Sequence, residues 1–206
     1  MINKAFSELI KENSSWQLIK DAFKEIKPER NKESIVFIII SLLISGITAF
    51  STNTVQIFTE SVDKLFDVQL AIFGIAFTAF SIILTFSDDN FIKRLSEVEC
   101  VDQTYLTRIT KYYCNSLFLY FIASVLSLII LLFMNTMNND FYLFSSHILN
   151  NTLAFLLIDI YYWFSLRVIW ELKSVIYNTY SILKYRILDN IHQISKKEQT
   201  QEKAED

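Results

Sequence analysis

HILNNTLAFLLIDIYYWFSLR, residues 147–167, is the stretch of sequence that decides the fold. It is apolar over the roughly 20 residues that a helix needs to cross a bilayer. It ends in aromatic and basic side chains, which are typical of a membrane interface: Tyr161, Tyr162, Trp163 and Arg167. Helical periodicity continues beyond it without Gly or Pro. The sequence therefore predicts a fourth span over 147–167 that continues as a long cytoplasmic helix, the stem, over 171–195, and a disordered polar tail over 196–206.

The composition of the whole chain favours long helices with few turns. Of 206 residues, 52% are hydrophobic, and only two are Gly and one is Pro. No stretch alternates with the period of a strand. Three further apolar runs predict spans at about 35–50, 69–86 and 116–134. The fold class is therefore all-α, a four-helix polytopic membrane protein.

The segments around these spans carry weaker patterns. Residues 1–33 predict two short amphipathic helices, the first over 2–10, which lie either on the inner membrane surface or against the stem. The first apolar run is short for a crossing, so we expect its helix to continue into Thr52–Ile57. We expect residues 51–68 to form a turn or two of helix on the outer surface.

The distribution of basic residues predicts the topology. Of 19 Lys and Arg residues, 18 lie before the first span, between the second and third spans, or from Arg167 onwards at the end of the fourth span. Only Lys64 falls in an outer segment. The positive-inside rule then places both termini in the cytoplasm, with four crossings and residues 34–170 as the membrane domain of a bacterial inner-membrane protein.

One acidic residue, Asp159, is predicted to lie within a span. A carboxylate at that depth costs at least ~2.5 kcal/mol on insertion scales, so it should face protein or water. It is either a pore or relay residue or a buried carboxyl hydrogen-bonded to one of the candidate polar residues Tyr120, Ser124 and Thr78.

Polar and small residues also repeat along single faces of the first three spans. The stripes are Ser41, Ser45, Thr48 and Thr52 in the first span, Gly74, Thr78, Ser81 and Thr85 in the second, and Ser116, Tyr120, Ser124 and Ser127 in the third. Such stripes allow tight helix packing with weak hydrogen bonds of roughly 0.6 kcal/mol each. The alternative is that stripes from several subunits line a water-filled path, because one four-helix protomer has too little interior for a pore.

The stem carries two patterns. An apolar stripe predicts burial against the N-terminal helices, the inner loop or, with some preference, other copies of the chain: Ile169, Leu172, Ile176, Leu183, Ile187 and Ile194. Beside it, Lys173, Tyr177, Tyr180 and Lys184 form a basic and aromatic face. That face could hold a nucleotide signal or a cytosolic protein, or it could simply sit near anionic lipid. The nearly balanced charge of the inner face argues against non-specific nucleic-acid binding.

Enzymatic chemistry has no support in the sequence. It contains no Gly-rich phosphate loop, no HExxH motif and no nucleophile elbow. Cys100 and Cys114 have no metal-site spacing and no clustered histidines beside them. We therefore expect no enzyme, no catalytic residue, no cofactor and no metal site.

The architecture, together with segments such as the one from Ile75 to Arg94 (IAFTAFSIILTFSDDNFIKR), resembles small membrane components of bacterial anti-phage systems, namely the Kiwa membrane subunit and the Hailong channel effector. The resemblance implies a homo-oligomer in the inner membrane. It would either open and depolarise the cell or sense a membrane change and engage a soluble partner. Our first hypothesis is thus an ion-conducting effector gated from the cytoplasm. The alternatives are a non-conducting sensor or scaffold and a small transporter subunit.

Overall fold

The computed structural model describes residues 15–26, 32–85, 87–100, 103–137 and 144–205. The predicted amphipathic helix over 2–10 lies outside these residues. The described chain forms six helices and one short hairpin: α1 (Ser15–Glu25), α2 (Lys32–Ala49), α3 (Thr54–Thr85), α4 (Asp89–Glu97), β1 (Glu99–Cys100), β2 (Gln103–Thr104), α5 (Tyr105–Thr136) and α6 (His147–Glu205). The antiparallel hairpin joins α4 to α5. The prediction of an all-α fold is confirmed.

Four of these helices, α2, α3, α5 and α6, are long and apolar enough to cross a membrane. Only 22% to 33% of each apolar window is buried inside the protomer. The rest forms an apolar outer surface that includes Leu43, Ile47 and Leu132, each more than 60% exposed. Such a surface is unfavourable in water and favourable in lipid, and helices with satisfied backbones are the elements that lipid accepts. Four spans of this kind are compatible with a multi-pass membrane protein.

The connection between the first two spans differs from the prediction. The helix of the first span does not continue into Thr52–Ile57, because α2 ends at Ala49 and a turn over 50–53 follows. The segment that was expected to lie on the outer surface instead belongs to α3, a single helix of 32 residues. Phe58 and Val62 explain this difference, since both are buried in one cluster with Tyr161 of α6. Their i, i+4 spacing extends the buried face of α3 through the segment that was predicted to lie outside the membrane.

The four long helices differ in how many of the others they contact. α3 packs against both α5 and α6, whereas α2 packs mainly against α6. The described N-terminal helix, α1, packs on the bundle through buried Ala22 and Ile26, and the ring of Phe23 lies 6.1 Å from that of Phe164. α1 therefore packs mainly against α5, and the predicted contact of this region with the stem is not seen among the described residues. We call the end at which α2 and α5 begin the stem end, and the opposite end the far end.

α6 is one helix of 59 residues, about 90 Å long at 1.5 Å per residue. It includes the predicted fourth span and the whole stem. It also continues to Glu205, through most of the segment for which the polar composition predicts disorder. The absence of Gly and Pro after residue 74 leaves nothing in the sequence that would break the helix.

Candidate functional site

Asp159 lies between α6 and α2, where it is half-buried. Its Oδ1 accepts a hydrogen bond from the Ser45 hydroxyl at 3.3 Å. The partner predicted from the sequence, Tyr120, Ser124 or Thr78, was wrong, because α2 packs against this face of α6. The four predicted intramembrane residues therefore do not form one site.

The polar stripe of α2 is the only face that this helix buries. Its buried residues are small or polar: Ser34, Ser41, Ser45, Thr48 and Ala49. The hydroxyls of Ser41 and Thr48 turn back onto carbonyls of their own helix at 3.0 and 2.9 Å. Small side chains let α2 approach α6 closely. In the first span the stripe thus serves helix packing.

The stripe of α3 has the opposite environment. Gly74, Thr78 and Thr85 are exposed and Ser81 is half-buried, while the buried residues Ile72, Ala76 and Ile83 lie on the other side of the helix. The three hydroxyls donate to carbonyls four residues earlier, at 2.8 to 2.9 Å. A Cβ added at Gly74 would meet no atom within 4 Å. Among the described residues, the hydroxyls of this face bond only within α3.

The stripe of α5 is buried between helices, and one of its members, Ser127, belongs to a polar network. The Ser127 hydroxyl donates to Gln69 Oε1 at 2.7 Å and shares a 2.9 Å hydrogen bond with the Tyr161 hydroxyl. Gln69 Nε2 in turn donates to the Ser165 hydroxyl at 3.3 Å. Gln69, Ser127 and Ser165 are all 0% exposed. The network joins α3, α5 and α6, and it includes a glutamine that the hydroxyl stripes alone do not reveal.

A second polar group on α5 lies nearer the stem end. The Tyr112 hydroxyl donates to Glu171 Oε1 at 2.9 Å. Ser116 and Tyr120 follow at steps of four residues, and both are buried. The Tyr120 hydroxyl has no hydrogen-bond partner among the described residues, and that of Ser116 has only the Tyr112 hydroxyl as a neighbour, without a well-formed hydrogen bond. Ser124, one turn further, donates to the Tyr120 carbonyl at 2.9 Å.

A cleft of about 650 Å³ opens between α5 and α6 at the stem end. Two of the four predicted ligand residues, Lys173 and Tyr177, line it, together with Arg108, Tyr112 and Glu171. Tyr180 and Lys184 are exposed and lie outside its lining. The cleft therefore combines two cations, one carboxylate and several tyrosines. Two of the four residues of the predicted basic and aromatic face of the stem thus lie opposite basic and aromatic residues of α5.

Lys173 also contacts the start of α2. Its Nζ lies 3.2 Å from Glu33 Oε1 and 4.9 Å from the centre of the Trp170 ring. The Trp170 indole donates to Glu33 Oε2 at 2.9 Å, and its ring lies 5.2 Å from that of Phe37. These contacts join the first span to the fourth just where the stem begins.

Two charge pairs join the stem to α4. The Arg186 guanidinium donates to both carboxylate oxygens of Asp88, at 2.8 and 2.7 Å, and Arg94 pairs with Asp189. Asp88 is also the N-cap of α4, since it accepts the Phe91 N–H at 2.8 Å. The Arg186 hydrogen bonds and then the Phe91 N–H lower the pKa of Asp88 to about 2. We call these two pairs the stem clamp.

The predicted apolar stripe of the stem coincides only in part with the buried face, since Ile169, Leu172 and Leu183 are half-buried and the first two pack against the core. Ile176, Ile187 and Ile194 are more than 55% exposed, whereas Val168, Val175 and Ile182 are buried. The buried face continues through residues that hydrophobic periodicity does not count, such as Thr179, whose hydroxyl shares a 2.7 Å hydrogen bond with that of Tyr113. The stem therefore packs on α5 and α4, and it leaves a second apolar face exposed.

Sequence reasoning missed several of these residues. Arg108 and Tyr112 stand four residues apart on α5, with Tyr105 three residues before, and that spacing could have indicated a face complementary to the stem. Gln69 was hidden at the border of the second apolar run. The pairing of Asp88 with Arg186 joins residues 98 positions apart and leaves no local signal.

Comparison of the chain with protein-family models, with curated proteins and with solved structures found no match.

Proposed function

We propose that the protein is a homo-oligomeric ion-conducting membrane effector, gated from the cytoplasm through its stem. The observation that carries this proposal is the exposed polar face of α3. Gly74, Thr78 and Thr85 are exposed and Ser81 is half-buried, and among the described residues the three hydroxyls bond only to carbonyls of α3 itself. Facing lipid, a row of hydroxyls gives no more favourable contact than apolar side chains would. Between protomers, the same row can support close packing or line an aqueous path.

Gly74 strengthens the case for an oligomer. Glycine in a helix interior costs about 0.5–1 kcal/mol relative to alanine. That cost is offset where another backbone approaches closely, and the space around Gly74 within the protomer is open. A second copy of α3 provides such an approach. Defence against phage by depolarisation is the role that the architectural resemblance implies for such an effector.

The stem clamp supplies the gating element of the proposal. Thr85 ends α3 and Asp88 caps α4 three residues later, so the clamp holds α6 next to the stem end of α3. A displacement of the stem is transferred to the helix that carries the exposed polar face. The signal that displaces it is a nucleotide in the cleft or a cytosolic protein on the stem.

Conductance of the purified full chain in liposomes tests the proposal. Thr78→Leu is expected to reduce ion flux, because it places an apolar side chain on the polar face of α3. Thr152→Leu is the matched control, since Thr152 is an exposed threonine of another span. Asp159→Asn is expected to have a smaller effect than Thr78→Leu, because Asp159 faces Ser45 within the protomer.

Gating is tested by exchanging the charges of the clamp. Asp88→Arg and Arg186→Asp should each alter flux or its activation, and the double exchange should restore it, because the pair is re-formed with opposite polarity. Absence of flux in every preparation, with and without cytosolic extract, would reject conduction. Equal flux in all three exchange variants would reject gating through the clamp.

A non-conducting scaffold is the second candidate, and the exposed apolar face of the stem favours it. Ile176, Ile187 and Ile194 offer a helical surface to a soluble partner. Deleting residues 173–206 should then abolish co-purification of that partner. Deleting only residues 196–206 is the control, because it leaves this face in place.

A further inference from the structure

Two buried hydroxyls of α5 set one region of the bundle apart. Tyr120 is 0% exposed and its hydroxyl has no hydrogen-bond partner among the described residues, whereas Ser116 is 1% exposed and its hydroxyl has only that of Tyr112 as a neighbour, without a well-formed hydrogen bond. Buried hydroxyls in proteins are nearly always paired, with protein or with ordered water. Ser124 shows the usual intrahelical solution, since it donates to a carbonyl of its own helix. Ser116 and Tyr120 do not use that solution, and they lie one helical turn apart.

These two hydroxyls lie between the open cleft and a closed polar network. On the stem side, Tyr112 and Glu171 are hydrogen-bonded to each other and line the cleft. On the far side, Ser127 follows Tyr120 by two helical turns and joins Gln69. The polar side chains of α5 therefore form a row, and its middle part is the part without well-formed hydrogen bonds among the described residues.

We propose that water molecules bind at Ser116 and Tyr120 and extend the solvent of the cleft into the span. A bound water needs two to four polar partners. The hydroxyls of Ser116, Tyr120 and Tyr112 and the carboxylate of Glu171 provide them. Each protomer then contains a hydrated path from the cleft to the Ser127–Gln69 network.

This path ends within the bundle. At the far end of the network, the ring of Phe58 lies 5.6 Å from that of Tyr161 and 5.9 Å from that of Tyr162, in edge contacts. The path is therefore a half-channel that is open only towards the stem end. It lies inside one protomer and is separate from the exposed polar face of α3.

Radiolytic footprinting of the purified full chain in lipid nanodiscs tests the proposal. Hydroxyl radicals produced by radiolysis of bound water oxidise a neighbouring side chain even where bulk solvent does not reach it. Tyr113 is the matched control: it is on the same helix, it is also 0% exposed, and its hydroxyl is paired with Thr179. Tyr113 lines the cleft, so simple leakage of solvent would label it first. We expect Tyr120 to be oxidised several-fold faster than Tyr113. Oxidation of Tyr120 at or below the rate of Tyr113 would overturn the proposal.

A pair of variants locates the water. Ser116→Val removes one partner and fills its space, so the oxidation rate of Tyr120 should fall to that of Tyr113. Ser124→Ala removes a hydroxyl that is already satisfied within its helix, and the rate should not change. Unchanged oxidation of Tyr120 in Ser116→Val would refute this location. Ion flux does not enter the measurement, so its outcome is independent of the proposed function.

Discussion

Gly74 gives the sharpest test of whether the exposed face of α3 meets another copy of the chain. In the protomer, a Cβ at this position has no heavy atom within 4 Å. Gly74→Ala therefore introduces no clash and gains the helix propensity of alanine, about 0.5–1 kcal/mol. For an isolated protomer, the free energy of unfolding should rise by that amount.

In an oligomer that packs through this face, substitutions at Gly74 would instead lower the stability of the contact between copies. A small residue lets two helix backbones approach, and a leucine at that point holds them apart. We expect Gly74→Leu to shift the detergent-solubilised protein from oligomer to monomer, and Gly74→Ala to do so less. Native mass spectrometry measures the copy number, and reversible unfolding in SDS measures the stability. Ile75→Leu is the control, because Ile75 is exposed on the flank of the same helix. An unchanged copy number in Gly74→Leu would refute the assignment of this face to a contact between copies.

Three further predictions concern contacts within the protomer. The pKa of Asp88 in the folded chain is about 2, below its ordinary value of 3.8. The pair with Arg186 therefore stabilises the folded chain fully above pH 3.8, and this stabilisation is lost as the pH falls towards 2. Distances between spin labels on α4 and the stem should widen over that interval in the wild type and show no such step in Asp88→Asn. Gln69→Leu removes two interhelical hydrogen bonds, each worth roughly 0.6 kcal/mol, and should lower the free energy of unfolding by about 1 kcal/mol. Reversible unfolding in SDS measures this change, and a stabilised variant would contradict it. Phe58→Ala should cost about 3 kcal/mol because Phe58 is buried against two tyrosine rings, whereas Phe50→Ala, at a 67% exposed position, should be nearly neutral; equal effects would contradict the packing argument.

The sequence was sufficient for the helices but not for their ends. Hydrophobic runs of about 20 residues predict each of the four apolar helices, because the length requirement of a bilayer acts on local composition. The boundary near residue 50 was wrong because Phe58 and Val62 continue a buried face that only contact with α6 makes visible. The stem face was predicted only in part for a related reason. Thr179 and Arg186 take part in it through hydrogen bonds, and hydrophobic periodicity gives such residues no weight.

The candidate site was predictable only in part, because a side chain's type does not determine its neighbour. Ser124 and Thr78 look alike in sequence, yet Ser124 is buried between helices and Thr78 is exposed. Both satisfy their hydroxyls within their own helix, so neither position depends on a polar partner. What separates them is the order in which the helices pack. That order depends on long-range contacts such as that of Gln69 with Ser165, which no local pattern predicts.

The contacts of α6 with α3 explain how one helix could carry a signal. They occur at three levels: Phe58 with Tyr161 towards the far end, Gln69 with Ser165 within the span, and Asp88 with Arg186 just beyond the end of α3. α6 has no break between its first and last contact. In the proposed gating, a rotation of the stem would therefore reach α3 at all three levels and would turn its exposed polar face. Loss of the clamp removes only the outermost level, so it should weaken the response to the stem without unfolding the span.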